Sequence, residues 1–184
     1  MPELSDEELV RAYQGGDEDA FGEFVARHQD RVFRMAVVWL QDASLAADVL
    51  QETLIRSYQG LGRFGFRASP ATWLLRVCRN VCHEENRRSA RTTRLPDDYE
   101  GESVEADFAS ELQDSPAGHR VWQALARLPD RQREVVTLRL LEELSVAQTA
   151  VIMHCRPGTV KAHLNKALTS LNRHMTDGGG NDEL

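Results

Sequence analysis

Apolar residues recur along most of this chain three and four positions apart, the spacing of one face of an α-helix, and no stretch keeps up the alternation of a half-buried strand. From Asp17 to about Gln41, Phe21, Phe24, Val25, His28, Val32, Met35, Ala36 and Trp39 fall near one face. A second helix is predicted from about Ala43 to Leu61, with Ala46, Val49, Leu50, Leu54 and Leu61 as its buried stripe. The loop GRFGFRASP interrupts the pattern, and Ser69-Pro70 starts a third helix that runs to about Arg88, because proline in a first helical turn gives up no hydrogen bond. Its stripe is Leu74, Val77, Cys78 and Val81; opposite lie Arg76, Arg79, Asn80, His83 and Arg87, with Trp73 at the margin.

From Leu95 to Pro116 the pattern is lost in LPDDYEGESVEADFASELQDSP, which reads as a flexible linker. Periodicity resumes with helices around Val121 to Arg127 and from Arg131 to about Leu141, separated by the stop LPD. Ser145 and Gln148 stand three apart and form a capping box for a short helix ending at Met153. The turn HCRPG then leads into a helix from about Thr159, which is a helix-turn-helix layout. On that last helix Val160, Leu164, Ala167, Leu168 and Leu171 are expected to face the core. The predicted fold is all-α. Two small helical domains, 1–94 and 118–176, are joined by a linker over 95–117 and followed by a frayed tail, 177–184.

Charge refines this division. The formal net charge of -7 conceals blocks of opposite sign: 60–94 hold 8 Lys/Arg against 2 Asp/Glu, and 118–176 hold 9 against 4. Between them 95–117 carry 8 acids and no base, while 1–59 hold 12 acids against 5 bases. Local fields therefore matter more than the overall balance. No apolar run approaches the roughly 18 residues of a membrane span, and MPELSDEELV lacks the apolar stretch of a secretory leader. A cytoplasmic protein without membrane insertion is expected.

Three cysteines do not suggest a disulfide scaffold. Cys78, Cys82 and His83 invite a zinc or thiol-enzyme reading, but apart from His154-Cys155 no second ligand pair is visible, and no nucleophile, base and orienting group can be assembled. The expectation is buried thiols, with no catalytic residues, metal or cofactor.

The polar faces suit nucleic acid. Beyond the turn, Ala162, Asn165, Lys166 and Thr169, flanked by Lys161 and His163, carry groups able to read base edges in a major groove; a solvated bundle surface is the alternative. The basic face after Pro70 pairs cations with a ring and an amide, as unpaired bases require, although a tryptophan such as Trp73 taken alone is more often a core residue. On the second helix Asp48, Gln51, Glu52, Ile55, Arg56 and Gln59 face outward, an acidic stripe around an apolar anchor that fits a protein partner.

Together these residues resemble the extracytoplasmic-function sigma factors, small two-domain members of the sigma-70 family of bacterial RNA polymerase. DVLQETLIRSYQGLGRF resembles the family's polymerase-binding stretch, and PATWLLRVCRNVCHEENRR its promoter-melting and minus-ten segment. ALARLPDRQREVVTLRLLEELS and CRPGTVKAHLNKAL resemble its second domain, and GDEDAF also fits. The resemblance implies that Asp48, Gln51, Glu52 and Ile55 contact the clamp helices of the polymerase's largest subunit. It implies that Trp73, Arg76, Arg79, Asn80, His83 and Arg87 engage the minus-ten element, duplex and melted non-template strand, with a flipped base held beside Asn80. Thr159, Lys161, Ala162, His163, Asn165 and Lys166 would lie in the minus-thirty-five groove. An anti-sigma factor is a further candidate partner. The chain departs from the family pattern at Thr149, usually Ile, at His154, usually Gly or Asp, at Pro157, usually Val, and at Ala162-His163, usually Ser-Arg. The competing reading is a stand-alone helix-turn-helix regulator that binds DNA without polymerase.

Overall fold

Residues 4–89 and 116–177 are described by the computed structural model, and among them every regular element is a helix. A helix the apolar pattern left unassigned comes first. In α1 (Asp6–Gln14) the Ser5 hydroxyl accepts from Glu8 N and the Glu8 carboxylate accepts from Ser5 N, a full capping box. Leu9 and Val10 are buried, and Gln14 Nε2 donates to the carbonyls of Leu61 and Phe64, tying α1 to the end of a later helix.

α2 (Glu18–Leu40) opens on an Asp17 cap and α3 (Ala43–Leu61) on Asp42, whose side chain accepts from Leu45 N. α4 (Pro70–Ser89) begins on the proline that follows Ser69. These three helices pack on one another with α1 across them. Toward its end α2 is covered on all sides: Val32, Phe33 and every residue from Met35 to Trp39 are buried.

The rest of its cover comes from the second unit. α5 (Pro116–Ala126) starts earlier than the apolar pattern indicates, with proline in its first turn, so the last two residues of the expected 95–117 linker are helical. The remainder of that linker, and the tail from 178, lie outside the described residues. α6 (Asp130–Val136) passes into one π-helical turn, Thr137–Leu141, closed by Glu142 N on Thr137 O at 2.9 Å. α7 (Val146–Met153) has the predicted Ser145–Gln148 capping box, and α8 (Pro157–Asp177) completes the helix-turn-helix. α6 and the π turn lie against α2, and α7 against α4.

Some burial expectations change. Leu168 is 42% exposed; eight residues beyond Val160, at roughly 100° per residue, it lies about 80° around the helix, at the edge of the stripe. Val77 and Leu54 are only half-buried, while Leu75 and Cys82 join the core. α4 has, besides the helices of its own unit, a neighbour in α7 of the second unit, which the helix's own periodicity does not reveal.

Candidate functional site

The outward residues of α3 form an acidic ridge. Asp48 and Gln51 are exposed, Glu52 is half-buried, and Ile55 is 53% exposed. Between this ridge and α4 runs a groove of about 460 Å³ lined by Asp48, Glu52, Arg56, Glu84 and Arg88 among others. Arg56 spans it, donating to Glu52 at 2.6 Å and to both Glu84 oxygens at 2.9 and 2.7 Å. These bonds hold Glu84 below the usual carboxylate range and fix Glu52 beside the open edge.

The expected minus-ten residues of α4 divide into three groups. Asn80 and Arg87 are exposed. Trp73 and Arg76 are half-buried at a groove of about 500 Å³ that also includes Arg63, Arg67, Phe64 and, from α7, Val151. Trp73 stacks at a tilt on Phe64, ring centres 5.5 Å apart, and a side chain at Gly60 would meet its ring at 3.0 Å. Arg63 and Arg67 went unnamed in the sequence reading; the clue was the basic excess of 60–94 around one aromatic loop.

Arg79 and His83 have a different environment. Arg79 is buried at 5% exposure, its Nε 3.2 Å from Glu134 Oε2 of the second unit. His83 Nε2 contacts the other Glu134 oxygen, and Arg131 Nη1 lies 3.3 Å from Oε2. Burial pushes the Glu134 carboxyl up, but the His83 contact and the charges of Arg79, His83 and Arg131 outweigh it and leave the group below its ordinary value. The basic face predicted for α4 is therefore only partly open. Nothing in the sequence marks Glu134, because in DRQREVV it is one of two acids beside two arginines and carries no periodic signal.

Neighbouring Arg133 organises the second unit. It donates to the carbonyls of Leu125, Ala126 and Leu128 around the end of α5, and at 2.8 Å to Trp39 O across the interface. Arg31 of α2 pairs with Glu142 beyond the π turn.

α8 presents the predicted reading face. Thr159, Lys161, Ala162, Asn165 and Lys166 are exposed and His163 is half-buried, while Val160 and Ala167 are fully buried behind them. Cys78 and Cys82 are both buried in the α4 stripe, and hydrogen bonding with Cys78 together with burial pushes the Cys82 thiol well up. His83, the third member of the zinc reading, turns to Glu134 instead.

Comparison with known proteins accounts for both units. Residues 24–92 match the family described as Sigma-70 region 2, and 118–171 match Sigma-70, region 4. The chain is 32% identical to the RNA polymerase sigma-H factor of Pseudomonas aeruginosa, covering 95% of this chain and 96% of the relative. It is also 32% identical to the ECF RNA polymerase sigma factor SigM of Mycobacterium tuberculosis, covering 93% and 85%. In fold it is similar to CnrH, solved in complex with the cytosolic domain of CnrY, with a TM-score of 0.72, 22% identity and coverage of 95% of this chain and 99% of that one. A match to region 2 as well as to the helix-turn-helix rules out the stand-alone regulator. With both regions in order and such relatives along nearly its whole length, the chain belongs to the sigma-70 family as an extracytoplasmic-function sigma factor, which binds core RNA polymerase and directs promoter recognition and transcription initiation.

Proposed function

We propose that this sigma factor docks on the polymerase clamp helices through Asp48, Gln51, Glu52 and Ile55, engages the minus-ten element through α4, and reads the minus-thirty-five element through Thr159, Lys161, Ala162, His163, Asn165 and Lys166 of α8. The observation that carries this reading is the α8 face itself, where Lys161, Ala162, Asn165 and Lys166 stand exposed on a helix anchored by Val160 and Ala167. Asn can pair with an adenine edge, Lys with guanine or phosphate, and Ala leaves room for a thymine methyl. On α4, Asn80 and the Trp73 groove offer an amide, a ring and cations to an extruded base. DNA opening then draws on binding energy alone, since flipping a base costs only a few kcal/mol. No catalytic group is needed, and the factor acts in the cytoplasm with the polymerase. The domain limits in this reading are 1–94 and 118–176, each enclosing a matched region, 24–92 and 118–171. An anti-sigma factor is a further partner, as one fold neighbour, RpoE of Bartonella quintana, was solved with the anti-sigma factor NepR at a TM-score of 0.66 and 19% identity.

The test is transcription of genomic DNA by purified core polymerase with and without the chain, mapping new start sites. On a mapped promoter Asn80→Ala is expected to impair strand opening while leaving core binding intact, and Asp48→Ala to do the reverse. Equal loss of both functions in each variant contradicts the assignment.

A further inference from the structure

We infer that α1 braces the strand-opening surface, with Gln14 and Arg11 as positioning residues that hold the loop at 62–69 in the shape by which Arg63 and Arg67 line the Trp73 groove. This role depends on the assignment of that groove to the minus-ten element proposed above. Gln14 and Arg11 stand three apart on α1, so their side chains leave the helix on one side. The Gln14 amide nitrogen carries two hydrogens and donates to Leu61 O, where α3 ends, at 3.0 Å and to Phe64 O at 2.9 Å. Within the same turn Phe64 N donates to Leu61 O at 3.0 Å and Arg63 N to Gly60 O at 3.1 Å, so the amide ties down the turn that carries Arg63. One helical turn back, the Arg11 guanidinium lies over the Phe66 ring, 4.3 Å from its centre.

Phe66 needs such support. Its φ of 53° lies in the left-handed region that favours glycine, which a bulky residue keeps only where its surroundings over-determine it. Those surroundings are the Arg11 cation and the Phe64 ring, edge-on with centres 4.9 Å apart. Phe64 packs in turn on Trp73 at 5.5 Å, so a continuous chain of contacts runs from Arg11 to the groove. Arg67 follows Phe66 directly and Pro70 opens α4 three residues later, so any relaxation of the Phe66 backbone moves the segment carrying Arg67. Arg63 and Arg67 are both exposed and line the groove beside Trp73 and Arg76. A loop without the brace keeps the same charges but has to order them afresh each time it meets DNA. None of these contacts involves Asp48, Gln51, Glu52 or Ile55, so bracing is separable from docking on the polymerase.

The experiment compares holoenzymes assembled with the wild-type chain, Gln14→Glu, Arg11→Ala, Arg11→Lys and Phe66→Gly on a mapped promoter. Permanganate reactivity of unpaired thymines reads strand opening, and fluorescence anisotropy reads affinity for core polymerase. Gln14→Glu keeps the shape of the side chain but turns an acceptor toward two carbonyls. It and Arg11→Ala are each expected to reduce opening by roughly tenfold, the effect of ordering one or two arginine side chains afresh, with core affinity unchanged. Arg11→Lys, which keeps a cation over Phe66, should retain most of the opening. Phe66→Gly relieves the backbone, so a residue that served stability alone would open DNA at least as well after the change; loss of opening is expected instead, because the ring under Arg11 is gone. Wild-type opening in both Gln14→Glu and Arg11→Ala, or core affinity falling in step with opening, would overturn the brace. If Arg63→Ala combined with Arg67→Ala leaves opening intact, the groove assignment fails and the brace with it. If that double variant impairs opening while the α1 variants do not, the assignment stands and the brace alone is lost.

Discussion

Two residues of the helix-turn-helix work against its stability, and both are departures from the family pattern. Thr149 is fully buried, and among the described residues its hydroxyl has no hydrogen-bond partner. A buried polar group left unpaired costs about 1–3 kcal/mol, so Thr149→Val, nearly the same shape, should raise stability by about 1–2 kcal/mol in urea denaturation of the full chain. His154 ends α7 with φ of 50° and ψ of 47°, in the left-handed region that favours glycine. After allowing for glycine's greater freedom in the unfolded chain, His154→Gly should stabilise by about 0.5–1 kcal/mol. Partial loss of hydration, then the charges of Arg76, Arg79 and Arg131, hold the imidazole of the largely exposed His154 below its ordinary 6.5. Its contribution is full above that value and is lost as pH falls through the lowered folded one, because only the unfolded chain takes up the proton in between. Stability of the wild type should therefore slope downward on acidification below 6.5, and this part of the slope should vanish in His154→Gly.

For whole helices, the roles of neighbouring residues on α8 can be separated by salt. Lys161→Ala should weaken promoter binding by the holoenzyme on every minus-thirty-five sequence and reduce the salt dependence by about one phosphate contact. Asn165→Ala should instead relax the choice of one base pair by about 1–3 kcal/mol with little change in salt slope. Competition binding at several salt concentrations distinguishes the two; identical behaviour of both variants would show that the face does not read bases. α8 itself was legible because Pro157 and the apolar positions lie within one helix, as was the Ser145 cap. α1 was not read although it has its own capping box, since Leu9 and Val10 alone make too short an apolar stripe to register. Nor does periodicity announce the π turn at Thr137–Leu141, whose wider hydrogen bonds are accompanied by the Thr137 hydroxyl donating to Arg133 O at 2.9 Å.

Across the whole molecule, the packing of the second unit on the first should respond to pH through Glu134. Arg79 and His83 of α4 and Arg131 of its own helix face the carboxylate, with Asp130, Trp39, Cys82 and Asn86 nearby. Since its folded value lies below the ordinary 4.5, its contribution is complete above that pH and is lost as pH falls through the lowered value. Small-angle X-ray scattering from pH 7 downward should show the wild type extending only near the acid end, while Glu134→Gln is already extended at neutral pH; matching curves for the two would argue that Glu134 does not hold the units together.

Helix type, the order of elements after α1, the capping residues, the opposed charge blocks and the exposed face of α8 all depend on neighbours within a few positions along the chain, so the amino-acid order alone determined them. The burial of Arg79, the pairing of His83 and Arg79 with Glu134, the sealing of α2 on all sides and the addition of Val151 to the Trp73 groove needed the tertiary structure. Each joins residues from separate units, Arg79 and Glu134 being 55 positions apart, and hydrophobic spacing records that a face is covered without recording what covers it.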